Sequence, residues 1–304
     1  MASVIEVQNL KKNYNGFEAV RGISFAVEKG EIFGILGPNG AGKTTTLEIL
    51  EGLKKKTSGK VSVLGLDIDE HELEIKKRIG VQLQSSGYFD HLTLSELLHL
   101  FASFYGKKIN EMELLGFVGL KDKALTEYKN MSGGQKQRFT IATSLVHDPE
   151  ILFLDEPTTG LDPRGRRDVW ELVRNISSKG ISVLLTTHYM EEAEFLCTRV
   201  AILDKGQILT INNPSSLIND MAKTTQVSFF SKRDTPDDFW QKFPQVLKVY
   251  SNHPKVILEL NDISAVSEII NRLQKEKISF TGFTVKTATL EDVYLDLTGK
   301  EFEA

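Results

Sequence analysis

The chain has 304 residues and a mass of 34.1 kDa, enough for about two domains. Its hydrophobic fraction of 40% and charged fraction of 26% exclude an intrinsically disordered chain. The net charge of −4 and the pI of about 5.9 argue against a generally basic nucleic-acid-binding protein. The single cysteine, Cys197, excludes an intrachain disulfide and is typical of a protein from a reducing compartment.

The N-terminal residues form neither a basic segment nor a long apolar one, so we expect no signal peptide. No uncharged apolar run approaches the roughly 18 to 20 residues that a membrane-spanning helix needs. We therefore expect a soluble protein. If it acts at a membrane, other subunits must cross that membrane.

The first two thirds of the chain alternate apolar strands with amphipathic helical segments, which predicts an α/β fold with a mostly parallel sheet. Near the N-terminus, the pair Asn15-Gly16 predicts a hairpin turn. Near-continuous apolar runs are typical of strands buried on both faces of a sheet, and they cover residues 32–36, 151–154 and 183–185. The helix after the first run is expected to bury one apolar face, formed by Leu47, Leu50 and Leu53.

The segment from about residue 90 to 147 differs from this pattern. It has apolar residues at helical spacing (Leu94, Leu97, Leu98 and Phe101) and no clear strand, so we expect a helical subdomain. We place the boundary between a main domain and an accessory domain inside a linker at 212–219, giving domains 1–218 and 219–304.

The tail predicts the element order β-α-β-β-α-β followed by a last helix, the split βαβ arrangement of small α+β ferredoxin-like domains. Its strands are expected at 226–231, 246–251, 255–260 and 278–285. Short helices are expected at 236–242 and 290–297. A further helix is expected to present one apolar face, formed by Ile263, Val266, Ile269, Ile270 and Leu273.

A glycine-rich segment between the first apolar run and its helix fits the pattern G-x-x-x-x-G-K-[ST]. It consists of Gly37, Pro38, Asn39, Gly40, Ala41, Gly42, Lys43 and Thr44. Such a loop points backbone N–H groups at phosphate oxygens, and the helix N-terminus favours the anion. We expect Lys43 to bridge the β- and γ-phosphates, Thr44 to ligate Mg²⁺ and Thr45 to contact the α-phosphate. The alternative, an ordinary glycine-rich turn, does not explain the Lys-Thr pair.

Two acids, Asp155 and Glu156, end the apolar run at 151–154. In proteins with such a phosphate loop, an aspartate at this place holds Mg²⁺. The next acid is then free to act as general base on the attacking water. On their own, two acids at a strand end would be better explained by solvation, but the phosphate loop upstream favours the catalytic interpretation.

The segment Met131-Ser132-Gly133-Gly134-Gln135 narrows the choice between kinases, GTPases and ATPases. It resembles the LSGGQ signature of ABC-type ATPases, with Met in place of Leu, and it lies upstream of the Asp155 strand as it does in that family. A serine and two glycines at a helix N-terminus suit a second phosphate site. In ABC proteins this site serves the ATP held by the partner subunit, so the resemblance implies that Ser132, Gly133, Gly134 and Gln135 contact nucleotide.

Four further residues match elements of the same family. The resemblance implies that Tyr14 stacks on adenine, although a half-buried strand tyrosine is the competing interpretation. It implies that Gln84 is a ligand of Mg²⁺ and water, with Gln82 as the alternative. Asp162 follows Gly160-Leu161 in a segment that resembles the family's D-loop, and the resemblance implies that this segment crosses the dimer interface. His188 corresponds to the histidine that contacts the γ-phosphate.

Other polar residues near His188 have simpler explanations. Glu191 and Glu192 together with His188 suggest a metal site, but two acids at a helix N-terminus are better explained by the helix dipole. Cys197 is expected to be a small core residue.

The resemblance spans residues 4–212 without interruption. The ending from Ala288 to Gly299 further resembles ATPase subunits of drug- and antibiotic-export systems. The resemblance of residues 4–212 implies an ABC ATPase core that hydrolyses ATP with Mg²⁺. This core would contain an antiparallel β subdomain and a helical subdomain. The resemblance also implies a homodimer, or a heterodimer with a related ATPase, that powers transport, most simply export, through a separate membrane permease. The location would be cytoplasmic, on the inner face of the cell membrane.

Two other functions compete with this one. A soluble ABC ATPase of DNA repair would carry a long coiled-coil insertion, and a ribosomal one would carry two ATPase domains. The interval from Lys43 to Ser132 has no sustained heptads and the chain has one signature, so no nucleic acid is expected. The third possibility is a regulatory ATPase whose tail binds a ligand, which the sequence does not exclude.

The segment Tyr88-Phe89 follows Gln84 and leads into the predicted helical subdomain. In ABC transporters this segment lines a groove that receives a short cytoplasmic helix of the permease, and exposed aromatic side chains suit such an interface. The alternative is that one or both rings pack in the core of the subdomain.

Overall fold

The computed structural model describes residues 2–82, 87–221, 225–261, 263–286 and 288–299. The chain divides into two compact units, the first ending at Pro214 and the second beginning at Ser215. Among the residues that the structure describes, no helix is both long enough and apolar enough to cross a membrane.

The first unit contains β1 (Ser3–Tyr14), β2 (Phe17–Glu28), β3 (Ile32–Leu36), α1 (Lys43–Leu50), β4 (Ser58–Val63), β5 (Leu66–Asp67), α2 (Glu72–Lys76), β6 (Ile79–Gln82), α3 (Leu94–Phe104), α4 (Glu111–Phe117), α5 (Gly133–Ser144), β7 (Ile151–Asp155), α6 (Pro163–Ser178), β8 (Ser182–Thr187), α7 (Met190–Leu196), β9 (Arg199–Asp204) and β10 (Gln207–Asn212). From its end, α8 (Pro214–Met221) leads into the second unit. The second unit contains β11 (Thr225–Ser231), α9 (Asp237–Gln241), β12 (Val246–Asn252), β13 (Lys255–Leu260), α10 (Ala265–Lys275), β14 (Phe280–Lys286) and α11 (Leu290–Thr298).

An antiparallel sheet with strand order β2-β1-β4-β5 forms one layer of the first unit. Its hairpin turns at Asn15 and Gly16, as the sequence predicts. Both residues have positive φ angles, 49° and 96°, which a tight two-residue hairpin turn requires and which Asn-Gly adopts readily. The inward-facing side chains of β1 join the core of the unit, so this sheet is held by burial along one face.

A six-stranded sheet with order β10-β9-β3-β8-β7-β6 forms the other layer, and all its neighbouring strands are parallel except β9 and β10. Every residue of β3, β7 and β8 is buried, as their apolar runs predict. The carboxyl ends of parallel strands meet at one edge of a sheet. The phosphate loop, the acid pair and the segment with His188 follow β3, β7 and β8, and therefore all emerge at that edge.

The helix after β3 is shorter than its apolar pattern predicts. α1 ends at Leu50, because Gly52 adopts a φ of 70° in the left-handed region and stops the helix. Leu47 and Leu50 are buried, but Leu53 lies beyond the helix and its side chain is 51% exposed. The prediction that Leu53 belongs to the buried face is therefore wrong.

Residues 90–147 form helices and short turns, with one isolated β-bridge between Thr93 and Glu127. Thr93 caps α3 through a reciprocal pair of bonds with Glu96. Tyr88 packs against the aromatic rings of this region and its hydroxyl lies 2.8 Å from the Thr143 hydroxyl. Its neighbour Phe89 is 66% exposed. The two adjacent aromatic residues thus have opposite environments.

The second unit has the element order that its sequence predicts, and its antiparallel sheet has strand order β12-β13-β11-β14. Its core lies between this sheet and α9 and α10, with Trp240 fully buried against Phe229 at a ring distance of 5.5 Å. Ile269 and Leu273 of α10 are buried in this core. Ile263 precedes the helix and is 58% exposed, so its assignment to the apolar face is wrong.

Candidate active site

The glycine-rich segment forms a tight loop between β3 and α1. At several of its positions, a residue with a side chain would be strained or would clash. Gly40 and Gly42 have φ angles of 79° and 104°, which favour glycine. A Cβ atom on Gly42 would lie 2.5 Å from the carbonyl oxygen of Ala19, and one on Gly37 would lie 2.2 Å from that of Leu203. Glycine is therefore needed at positions 37 and 42, where the loop packs directly against the backbone of neighbouring segments.

The Lys43 side chain, which is 4% exposed, lies back along this loop. Its Nζ donates to the carbonyl oxygens of Gly37 at 2.9 Å and Pro38 at 3.2 Å. The same atom lies 3.3 Å from Oε1 of Glu156. Lys43 therefore joins the phosphate loop to the acid pair at the end of β7.

Asp155 is buried at the carboxyl end of β7. Its Oδ1 accepts hydrogen bonds from the hydroxyls of Thr186 and Thr44, the latter at 3.3 Å. Burial raises the pKa of Asp155 above its ordinary value, although the bonds from Thr186 and Thr44 act in the opposite direction. A hydroxyl and a carboxylate oxygen at this spacing are the oxygen donors that Mg²⁺ prefers.

Glu156 lies among three polar partners. Its carboxylate lies 3.3 Å from Lys43 Nζ and 3.1 Å from His188 Nδ1, and it accepts from the Thr159 hydroxyl at 3.2 Å. Burial alone would raise the pKa of Glu156, but Lys43 and His188 outweigh it and the pKa lies below the ordinary value. Glu156 also has a φ of 48° although it is not glycine, a strained conformation that is common at functional sites. This carboxylate is therefore held ionised and fixed in direction.

A cleft of about 280 Å³ opens over the phosphate loop. Its lining brings together predicted site residues that are distant in the sequence, namely Tyr14, Asn39, Gly40, Gly42, Lys43, Thr44, Thr45 and Glu156. It also includes Phe17, an exposed aromatic residue at the start of β2 that no motif of the sequence marks. The Tyr14 ring is 38% exposed, with the ammonium groups of Lys12 and Lys54 at 4.8 and 5.8 Å from its centroid.

The signature segment lies at the start of α5. Ser132 caps this helix by accepting from the Gln135 backbone N–H at 3.4 Å, and its own N–H donates to Gln135 Oε1 at 2.9 Å. A Cβ atom on Gly133 would lie 3.9 Å from the Leu161 side chain, so the signature adjoins the loop before α6. Asp162 caps α6 by accepting from the Gly165 N–H at 3.1 Å.

Not all predicted site residues meet in one place. Within the described part of the chain, the lining of the Lys43 cleft includes neither the signature residues Ser132, Gly133, Gly134 and Gln135 nor Asp162. Gln84 lies outside the described residues. Its alternative, Gln82, is buried at the carboxyl end of β6.

The helix-dipole explanation applies to only one of the two acids that begin α7. Glu191 is exposed, but Glu192 is completely buried, and its Oε1 accepts from Thr158 Oγ1 at 2.8 Å and from Trp170 Nε1 at 2.9 Å. Burial raises the pKa of Glu192. In the described ranges, no group of three or more His, Cys, Asp or Glu side chains could hold a metal ion, and the alternative of a metal site here gains no support.

A parallel sheet that presents a phosphate loop, a buried aspartate and an ionised glutamate at one edge defines the class of P-loop nucleotide-binding proteins. A sequence model of the family described as "ABC transporter" matches residues 20–159. The chain is similar to the "Linearmycin resistance ATP-binding protein LnrL" of Bacillus subtilis (strain 168), with 34% identity over 98% of this chain and 99% of that protein. It is similar to the "Nod factor export ATP-binding protein I" of Ralstonia nicotianae, with 35% identity over 98% of this chain and 94% of that protein.

Solved structures agree with these relatives. The structure of cbiO1 from Clostridium perfringens, "part of the ABC transporter complex cbiONQ", has a TM-score of 0.66 and 27% identity, and covers 73% of this chain and 92% of its own. A dimeric ATP-binding cassette, MJ0796, "bound to ADP and Pi", has a TM-score of 0.62 and 27% identity, and covers 69% and 98%. The chain therefore belongs to the ABC transporter ATP-binding family, and it is an ABC-type ATP hydrolase.

Proposed function

We propose that this chain is the ATP-hydrolysing subunit of an export system and drives a separate membrane-spanning permease. The observation that supports this most is the contact of Glu156 with both Lys43 and His188 at the phosphate loop. Export is favoured because relatives that align over nearly the whole chain are named for Nod factor export or for linearmycin resistance. The chain would then act on the inner face of the cell membrane, bound to the permease.

ATP would bind in the cleft over the phosphate loop. Tyr14 would stack on the adenine with Phe17 beside it, and the backbone N–H groups of the loop would face the phosphates. Lys43 would exchange its bonds to Gly37 and Pro38 for bonds to the β- and γ-phosphates. Thr45 would contact the α-phosphate.

The donor set fits Mg²⁺. The hydroxyl of Thr44 and the carboxylate of Asp155 are oxygen donors 3.3 Å apart, and Gln84 is proposed as a further ligand. When bound, the ion supplies neutralisation of the phosphate charge. The two adjacent carboxylates of Asp155 and Glu156 also repel each other, so a cation beside Asp155 lowers the cost of keeping both ionised.

Glu156 is proposed as the general base. It is ionised and directed by Lys43, His188 and Thr159, so it can accept a proton from the water that attacks the γ-phosphate. His188 lies on the other side of this carboxylate and would hold it and the γ-phosphate in place. Glu156 follows β7 and His188 follows β8, so their 3.1 Å contact depends on how the two strand ends are placed. We expect turnover to require this contact.

The signature segment supports a dimer. Ser132 and its glycines form an exposed helix N-terminus that lies outside the Lys43 cleft, and such a terminus suits a phosphate of a second site. Two chains arranged head to tail would then enclose two ATP molecules, each between Lys43 of one chain and Ser132 of the other. Asp162 would lie at this interface. The partner can be a second copy or a related ATPase.

Two measurements test this function. ATP turnover by the purified chain should rise more steeply than linearly with protein concentration, because each complete site needs two chains. Purification from membranes in mild detergent should retain an integral membrane protein, and reconstitution with that protein should stimulate turnover. Full activity per chain at high dilution would reject the dimer. Failure of the chain to co-purify with any integral membrane protein would reject the transport role.

A further inference from the structure

The complete burial of Glu192 is not explained by its position in the first turn of α7. Within the described ranges, no Lys or Arg lies within ion-pair distance of its carboxylate. A buried carboxylate is costly unless donors satisfy it, and an apolar residue would pack here at lower cost. Its Oε1 accepts from the hydroxyl of Thr158 and the indole N–H of Trp170, and the side chain of its near neighbour Thr187 also hydrogen-bonds to the carboxyl group.

The Thr158 bond connects two segments that carry reacting groups. We call residues 156–162, between β7 and α6, the acid loop, because it begins with Glu156. We call residues 187–192, from the end of β8 into α7, the switch segment, because it contains His188. Thr158 is itself completely buried, so its hydroxyl has a defined direction and its 2.8 Å bond to Glu192 fixes one segment against the other.

A second, independent connection runs through α6. Arg166 Nε donates to the carbonyl oxygen of Leu161 in the acid loop at 3.2 Å, and its guanidinium lies 4.1 Å from the ring centroid of Tyr189 in the switch segment. Arg166 and Trp170 are four residues apart and so share one face of α6. The acid loop and the switch segment are therefore joined at two places besides the contact between Glu156 and His188.

We propose that Glu192 is a positioning residue for ATP hydrolysis: through Thr158 it holds the acid loop at the distance from the switch segment at which Glu156 and His188 meet. The proposal rests on the proposed roles of Glu156 and His188. Glu192 touches neither ATP nor the attacking water. It acts on turnover because a displacement of either segment separates two groups that now lie 3.1 Å apart.

The experiment compares two substitutions that each remove one hydrogen bond to Glu192. Thr158→Val removes the bond that joins the two segments. Trp170→Phe removes a bond that does not reach the acid loop, and serves as the matched control. We expect Thr158→Val to lower kcat roughly tenfold or more with KM for ATP within about twofold, since misplacement affects the chemical step rather than binding. Trp170→Phe should lower the melting temperature to a similar degree while keeping kcat within about twofold.

Conservative variants complete the test in the full-length chain. Thr158→Ser and Glu192→Gln keep a donor and an acceptor at the same places, so both should retain most of the wild-type kcat. Glu192→Leu should behave as Thr158→Val does. If kcat falls in proportion to melting temperature in all variants, including Trp170→Phe, Glu192 is a structural residue and the proposal is overturned. Failure of the underlying function appears separately, as unchanged turnover in Glu156→Gln.

Discussion

Glu156 and Lys43 contact each other at 3.3 Å, but the roles proposed for them differ. Glu156→Gln keeps the shape of the side chain and removes the base, so ATP binding should persist while turnover falls by roughly 10² or more. Lys43→Ala removes the cation that binds phosphates and should weaken ATP affinity itself. Equilibrium nucleotide binding and single-turnover hydrolysis on both variants separate the two steps. An equal loss of ATP affinity in both would contradict these roles.

Glu51 gives the chain an unusual dependence of stability on pH. It is 1% exposed at the end of α1, and burial, with smaller effects of Asp155 and Glu48, raises its pKa from 4.5 to about 8. Between these two values the folded chain keeps a proton that the unfolded chain has lost. Stability is therefore lost as the pH rises through this window, and the loss is complete above the folded pKa.

Glu51→Gln should remove this loss, because the amide does not ionise. The free energy of unfolding of the variant relative to wild type should increase from pH 5 to pH 8 by on the order of 2 to 4 kcal/mol. Urea unfolding at several pH values measures it. Glu171→Gln, an exposed site on α6 with the same change of charge, is the control and should show no such trend. Parallel pH curves for Glu51→Gln and wild type would show that Glu51 is ionised in the folded chain.

At the scale of single elements, the sequence predicts what depends on local chemistry. The strands β3, β7 and β8 could be predicted because strands covered on both faces need unbroken apolar runs. The Asn15-Gly16 turn could be predicted because few residues accept its backbone angles. These strand ends then place Lys43, Asp155 and His188 at one edge, so much of the candidate site follows from the order of the strands.

Other features depend on partners that are distant along the chain. The buried state of Glu192 depends on Thr158 and Trp170, which lie 34 and 22 residues before it, and no pattern around Glu192 indicates them. The position of Phe17 in the cleft could not be predicted for the same reason, since only the folded chain brings it to the phosphate loop. Leu53 was misassigned because one glycine ends its helix early. Burial of an isolated polar or aromatic residue is a property of the tertiary fold.

The segment that enters the helical region allows a prediction about coupling. Phe89 is 66% exposed, while the neighbouring Tyr88 packs on the rings of Tyr128 and Phe139. If this segment receives a helix of the permease, Phe89→Ala should leave melting temperature and ATP binding of the isolated chain near normal and lower permease-stimulated turnover several-fold. Tyr88→Ala should instead lower the melting temperature, since it removes a packed ring and a hydroxyl bonded to Thr143.

These two variants serve as controls for each other, because they change adjacent aromatic residues with opposite burial. The decisive measurement is permease-stimulated ATP hydrolysis beside a thermal melt of the same samples. Normal stimulation in Phe89→Ala would remove this residue from the permease interface.

At the scale of the whole molecule, the proposed head-to-tail dimer places each ATP between Lys43 of one chain and Ser132 of the other. Lys43→Ala disables one half of each site and a substitution of Ser132 disables the other. Ser132→Asp is preferable to Ser132→Ala, because alanine at a helix N-cap costs about 1 kcal/mol whereas aspartate also caps helices. The added carboxylate repels the phosphate that this terminus would otherwise bind.

Mixing these two variants tests the composite site directly. With Glu156→Gln added to both chains to prevent turnover, neither variant alone should retain ATP through gel filtration, because every site in each homodimer has one defective half. In a mixed dimer, one site combines the intact Lys43 of one chain with the intact Ser132 of the other, and the second site has both defects. The mixture should therefore trap about one ATP per mixed dimer. Chains that pair in the mixture without trapping ATP would show that Lys43 and Ser132 do not share a nucleotide across the interface.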